Sequence, residues 1–179
     1  MAEEKKEPWL NYLALTTVIL AVCATLSTFK GGGYSTRSVM SQSQASDQWA
    51  YYQAKGVKAY LYQLQAEKLE MELLALPRTA ARHIAADYRE KIDAYKQSVE
   101  KYEKEKSEIQ AKAKELESVR DESQAHSRAF GVAVIYLQIA ILLSSIAGLL
   151  KKKKVWYLGM ATGAAGLVYF ANGFLVFLS

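Results

Sequence analysis

The chain has 179 residues, 23 Lys and Arg against 18 Asp and Glu, two histidines and one cysteine. A lone cysteine excludes an intramolecular disulfide framework and every multi-cysteine metal site. Much of the +5 formal charge comes from four adjacent lysines, so the basic balance is no argument for nucleic acid, and no nucleic-acid partner is expected.

The first element is an uncharged apolar run over residues 9–29. Its length, about 20 residues, suffices to cross a hydrocarbon core roughly 30 Å thick. The preceding Glu3, Glu4, Lys5, Lys6 and Glu7 mix signs, which predicts a retained anchor rather than a cleaved leader. Gly31, Gly32 and Gly33 predict a flexible joint just beyond this span, with Ser35 or Thr36 capping the helix that follows.

Between the apolar runs the composition turns to Gln, Glu, Lys, Ala and Tyr with almost no helix breakers. Pro77 removes an N–H and disfavours helix in the residue before it, so a first arm should end near Leu76, with Thr79 capping a second. Two arms of similar length around one corner predict an antiparallel hairpin. In the second arm Ala81, Ala85, Tyr88, Ile92, Tyr95, Val99, Tyr102, Lys106, Ile109, Ala113 and Leu116 recur at three and four after the first step, a coiled-coil seam. Val57, Leu61, Leu64, Met71 and Ala75 form the corresponding stripe of the first arm, broadened near the corner by Leu69, Leu73, Leu74 and Leu76. Asp87–Lys91, Glu100–Lys104 and Glu108–Lys112 are acid-before-base pairs four apart on the solvated faces. No breaker precedes Phe130, so the second arm should run straight into the second span.

Two further apolar runs, 130–150 and 155–178, flank Lys151, Lys152, Lys153 and Lys154. Four consecutive lysines belong in water, and short loops rich in Lys and Arg stay cytoplasmic. The expected topology therefore has the N-terminus inside, the hairpin and C-terminus outside, and the lysine loop inside. The lysines could also hold anionic lipid headgroups. The expected fold class is an all-α membrane protein with three transmembrane helices and a long extramembrane, coiled-coil-like helical hairpin. Its divisions are 1–29 for the N-terminal tail and first span, 30–128 for the hairpin with its tip near Pro77, and 129–179 for the other two spans.

The string Ala45-Ser46-Asp47-Gln48-Trp49-Ala50-Tyr51-Tyr52-Gln53-Ala54-Lys55 follows a first span and opens a helical arm. Together with the segment 138–148, the basic loop, Val155-Trp156-Tyr157 and the glycine-spaced third span, it resembles the bacterial membrane family DUF4337, a domain of unknown function. The resemblance covers nearly the whole chain. It implies a three-span membrane protein of bacterial type; with the topology expected from the lysine loop, the chain would lie in the bacterial inner membrane with the hairpin in the periplasm. It implies no activity, substrate or catalytic residue.

The best candidate site is the polar, aromatic segment 41–62. Gln44, Gln48, Tyr51, Tyr52 and Lys55 share a helical face there, beside Asp47 and Trp49, with Asp47 placed to pair with Tyr51. It reads as a recognition surface for another subunit, or as an interfacial aromatic belt with packing between copies. Gly159, Gly163, Gly166 and Gly173 make a small-residue stripe in the third span, suited to packing on Ala140, Ala147 and Gly148 within the chain or to self-association. His83 and His126 stand apart from any set of ligands, and Asn172 should bond across helices. No Asp, Glu, Lys, Arg or His lies inside a predicted span, unlike the usual ion-coupled transporter. No nucleophile–base pair, acid dyad or nucleotide motif is present, so no catalytic, cofactor or metal residue is expected and an enzyme is not. The expected function is a self-associating scaffold or accessory protein that offers its hairpin to a membrane or periplasmic partner. The alternative is an oligomeric channel or conduit subunit.

Overall fold

A computed structural model describes residues 8–77 and 82–177. It holds three helices, α1 (Trp9–Ala75), α2 (Arg82–Leu150) and α3 (Lys153–Leu175), and no strand among the described residues. Each contains a stretch long and apolar enough to cross a membrane. Thr79 and Ala81 lie outside the described residues, as do Leu178 and the charged N-terminal flank.

The end of α1 at Ala75, two residues before Pro77, follows from the missing proline N–H and the steric limit on Leu76. The single run of α2 into its apolar half agrees with the absence of breakers. The glycine joint does not form. Gly31, Gly32 and Gly33 are helical, and Thr36 donates its hydroxyl back to Gly32 O at 3.1 Å instead of capping a new helix. Glycine costs only about 1 kcal/mol per helical position, less than contacts on both flanks of a propagating helix restore. One such contact is at hand: Ser127 donates to Gly31 O at 3.1 Å.

The lysine turn is shorter than the tetrad. Lys151 adopts φ 50° while Lys152 N–H reaches Ala147 O at 3.1 Å and Lys151 N–H reaches Gly148 O at 3.4 Å. That is a Schellman stop of α2 with a lysine where glycine is usual. Lys153 and Lys154 already form the first turn of α3, which ends at Leu175, short of the expected span 155–178.

The chain divides into two compact units, Met1–Met40 with Val119–Ser179, and Ser41–Ser118. In the first, three helical segments pack around Leu20, Ala24, Ala133, Leu137 and Ala140. α1 and α2 run antiparallel: a side chain added at Gly148 would touch Leu13, one added at Gly31 would touch Phe130, and Ser38 donates to Arg120 O at 3.2 Å. α3 lies against both. Several hydroxyls in the apolar stretches return to their own backbone, Thr16 and Thr17 to Leu13 O, Thr25 to Ala21 O, Ser145 to Ile141 O. Such bonds let polar side chains sit in an apolar stretch without an unmet donor.

Candidate interaction surface

In Ser41–Ser118 the second-arm seam is as the spacing predicts. Ile92, Ile109 and Ala113 are buried, and Tyr88, Tyr95, Val99, Tyr102, Lys106 and Leu116 are half-buried. The first-arm stripe is not. Val57, Leu61, Leu64 and Met71 are 60%, 55%, 42% and 65% exposed. The covered face of α1 is instead Ser41, Ala45, Gln48, Tyr52, Lys55, Ala59, Tyr62, Ala66, Leu69 and Leu73, spaced alternately by four and three. Counting apolar residues misses this face because its members are small or amphipathic. Alanines let the backbones approach, while tyrosines and lysines bury ring or stem and keep a polar tip to pair.

Those tips are paired across the two arms. Trp49 Nε1 donates to Glu117 Oε1 at 2.9 Å, and the Trp49 ring meets Tyr52 edge-on at 5.5 Å. Lys55 forms an ion pair with Glu105 and sits 5.1 Å from the ring centres of both Tyr51 and Tyr102. Lys106 lies 5.2 Å from the Tyr52 ring and donates to both oxygens of Glu103, at 2.9 and 3.0 Å. Tyr62 packs between Tyr95 and Tyr102 at 5.7 Å each, and Lys96 bridges to Glu70 at 2.6 Å. Low-numbered residues of α1 face high-numbered residues of α2 throughout, so the arms are antiparallel.

The electrostatics follow the contacts. The Glu105 carboxylate, with help from the Tyr51 hydroxyl, holds the Lys55 ammonium above its ordinary 10.5. Reciprocally, the hydrogen bond from Lys55 lowers the Glu105 carboxyl below 4.5. Glu103 raises Lys106, and Glu70 raises Lys96. The three acid-before-base pairs expected on the outer faces do not close; among the described residues Lys68–Glu72, at 3.8 Å, is a four-apart pair that does.

Of the residues singled out from sequence, Gln44 and Asp47 point to solvent and Gln48 is half-buried. Trp49, Tyr52 and Lys55 turn toward α2, and Tyr51, 51% exposed, flanks Lys55. The partners Glu103, Glu105 and Glu117 carry no sequence signal beyond their place beside the seam that contains Tyr102, Lys106 and Leu116. Gly159, Gly163 and Gly166 face inward within the other unit. Added Cβ atoms would meet Ala140 O at 3.2 Å, Leu20 Cδ2 at 3.0 Å and Leu137 Cγ at 2.9 Å. Asn172 is buried at 2% exposure on the same face of α3.

At the turn end of that unit, Trp9 and Trp156 lie 6.0 Å apart, Trp156 stacks on Tyr157 at 5.4 Å, and Lys153 sits 5.9 Å over Trp9. Lys151, Lys152, Lys153 and Lys154 are all exposed. At its other end Tyr34 stacks on His126 at 4.5 Å, and His126 Nδ1 donates to Gly173 O at 2.8 Å. His126 thus ties the last turn of α3 to α2.

Fold and contacts together define an all-helical protein with three membrane-length apolar stretches and a paired-helix segment. The family model for DUF4337, a domain of unknown function, matches residues 9–176. The chain belongs to that family. No curated protein and no solved structure matches it.

Proposed function

We propose that this chain is a non-enzymatic scaffold or accessory protein of the bacterial inner membrane, self-associating, with a periplasmic helical hairpin as its interaction element. The apolar stretches of α1, α2 and α3 are its three spans. The observation that carries the reading is the fate of the polar side chains in Ser41–Ser118. Trp49, Lys55 and Lys96 each bind an acid on the opposite helix, and Lys106, paired with Glu103 of its own helix, lies over the Tyr52 ring of the other. A segment whose ammonium and ring groups lock two helices in register is built to be stiff and to present its outer faces.

Charge and the aromatic residues support one orientation. The lysine turn adjoins Trp9, Trp156 and Tyr157, the residue types that settle at a membrane–water boundary, and a short basic turn favours the cytoplasm. The hairpin follows after one crossing and is therefore periplasmic. Pro77→Cys and Lys152→Cys, each in a Cys23→Ser background, test this with a membrane-impermeant maleimide. In intact spheroplasts the position at the corner should label and the one in the turn should label only after lysis. The reverse pattern would invert the topology and remove the periplasmic role.

A further inference from the structure

The outer face of the first arm carries a second seam. Val57, Leu61, Leu64, Lys68, Met71 and Ala75 are spaced by four, three, four, three and four. This face lies two residues out of step with the covered one, roughly 200° around the helix. It is flanked by Tyr60 at 60% exposure and Leu74 at 86%. We propose that this face is the contact between two copies of the chain, a deepening that rests on the self-association proposed above.

Three features select a second copy. A 3.5-residue repeat stays in line only along a partner that winds with the helix, so the face is shaped for another helix. A helix resting on a bilayer instead carries a lysine- or arginine-rich border. Here Lys58 and Lys68 alternate with Glu67 and Glu72, so the patch carries its own complement of both signs. Lys68 and Glu72 already pair at 3.8 Å yet remain 66% and 42% exposed, which leaves both able to meet the same groups of a neighbour. A surface that is mostly apolar along its seam, interrupted by Lys68, and carries both signs on and beside that line matches itself about a two-fold axis.

The test uses the full chain in phosphatidylethanolamine–phosphatidylglycerol vesicles. Leu64→Cys, in the Cys23→Ser background, should give a disulfide-linked species of twice the mass under mild oxidation. Lys112→Cys, on an exposed position of α2, should give at least tenfold less. The double variant Leu61→Gln/Leu64→Gln should weaken association at least tenfold with far-UV helicity unchanged. If the native chain associates and the double variant associates as tightly, the face is not the contact, while self-association stands. A native chain that stays monomeric at every protein-to-lipid ratio removes both. Should the double variant lose helicity, the Leu64→Cys crosslink decides alone, and its absence overturns the assignment. Quenching of a fluorophore on Leu64→Cys by brominated lipid chains would place the face in the bilayer and overturn it as well.

Discussion

Phe130, Ala133, Leu137, Ala140 and Ala147 are at 0% exposure in the unit that holds α3, and glycines face Phe130, Leu137 and Ala140. In Ser41–Ser118 the pairing face interleaves buried Ala45, Ala59, Ala66, Ile92, Ile109 and Ala113 with half-buried tyrosines and lysines. On the membrane placement proposed above, the difference reflects the solvent. In lipid an apolar side chain gains little by leaving its surroundings, so helices associate where small residues permit close approach. In water the same spacing gains from covering rings and lysine stems, provided the charged tips find partners. The first unit should therefore fail by crowding and the second by loss of polar partners.

Crowding gives the largest effect. A methyl group at Gly173 would lie 2.6 Å from Phe130 Cδ1 and Cε1, and one at Gly166 would lie 2.9 Å from Leu137 Cγ and 3.0 Å from its backbone nitrogen. Gly166→Ala is the sharper test, because a ring can turn aside and a backbone atom cannot do so alone. Each substitution should cost about 1–3 kcal/mol, read as a lower unfolding midpoint of the detergent-solubilised chain. An unchanged midpoint for Gly166→Ala would mean that α3 does not lie against Leu137.

Loss of a polar partner comes next. Trp49→Phe keeps a ring against Tyr52 but removes the donor to Glu117, and should cost about 1 kcal/mol. Glu117→Gln, which keeps an acceptor, should cost less. Equal losses would show that the bond depends on the Glu117 charge rather than on an acceptor alone, and urea titrations of the full chain followed by circular dichroism distinguish the two outcomes.

These contrasts also explain what could be read ahead of the structure. Pro77, the breaker-free second arm and its three–four seam are strong local signals, and α1, α2 and the antiparallel pairing follow them. The first-arm seam was hidden because Ala45, Tyr52, Lys55, Ala59 and Ala66 score as weakly apolar or polar. The more apolar Val57, Leu61, Leu64 and Met71 instead face outward. The glycine triplet was misleading for a related reason: a local propensity of about 1 kcal/mol per residue yields to a helix anchored on both sides. Which side of the third-span glycine stripe would be covered could not be told from spacing, since both answers use the same small residues.

The same triplet supplies a gain rather than a loss. Neither Gly32 nor Gly33 would bring an added methyl within 4 Å of another group. Gly33→Ala should therefore stabilise the chain by about 0.5–1 kcal/mol, because alanine loses less backbone entropy in a helix than glycine. A drop in midpoint instead would show that the open surface at Gly33 is covered in the assembled protein, a direct sign of a neighbour at that height.

The smallest effect belongs to the Lys55–Glu105 pair, which remains in contact with water. Glu105 titrates below its ordinary 4.5 when folded, so its contribution is present above about pH 4.5 and disappears as pH falls through the lower folded value. Lys55 titrates above 10.5 when folded, so its contribution is complete below that pH and fades as pH rises through the higher folded value. Glu105→Gln should flatten the acid limb of the stability profile, with little change at the alkaline limb beyond the share of Lys55, because Lys96 and Lys106 keep their own acids. Lys55→Met should flatten both limbs, since it removes one titrating group and returns the other to its ordinary range. If Lys55→Met leaves the acid limb as steep as before, Glu105 draws its shift from Lys101 and Lys58 rather than from the seam lysine.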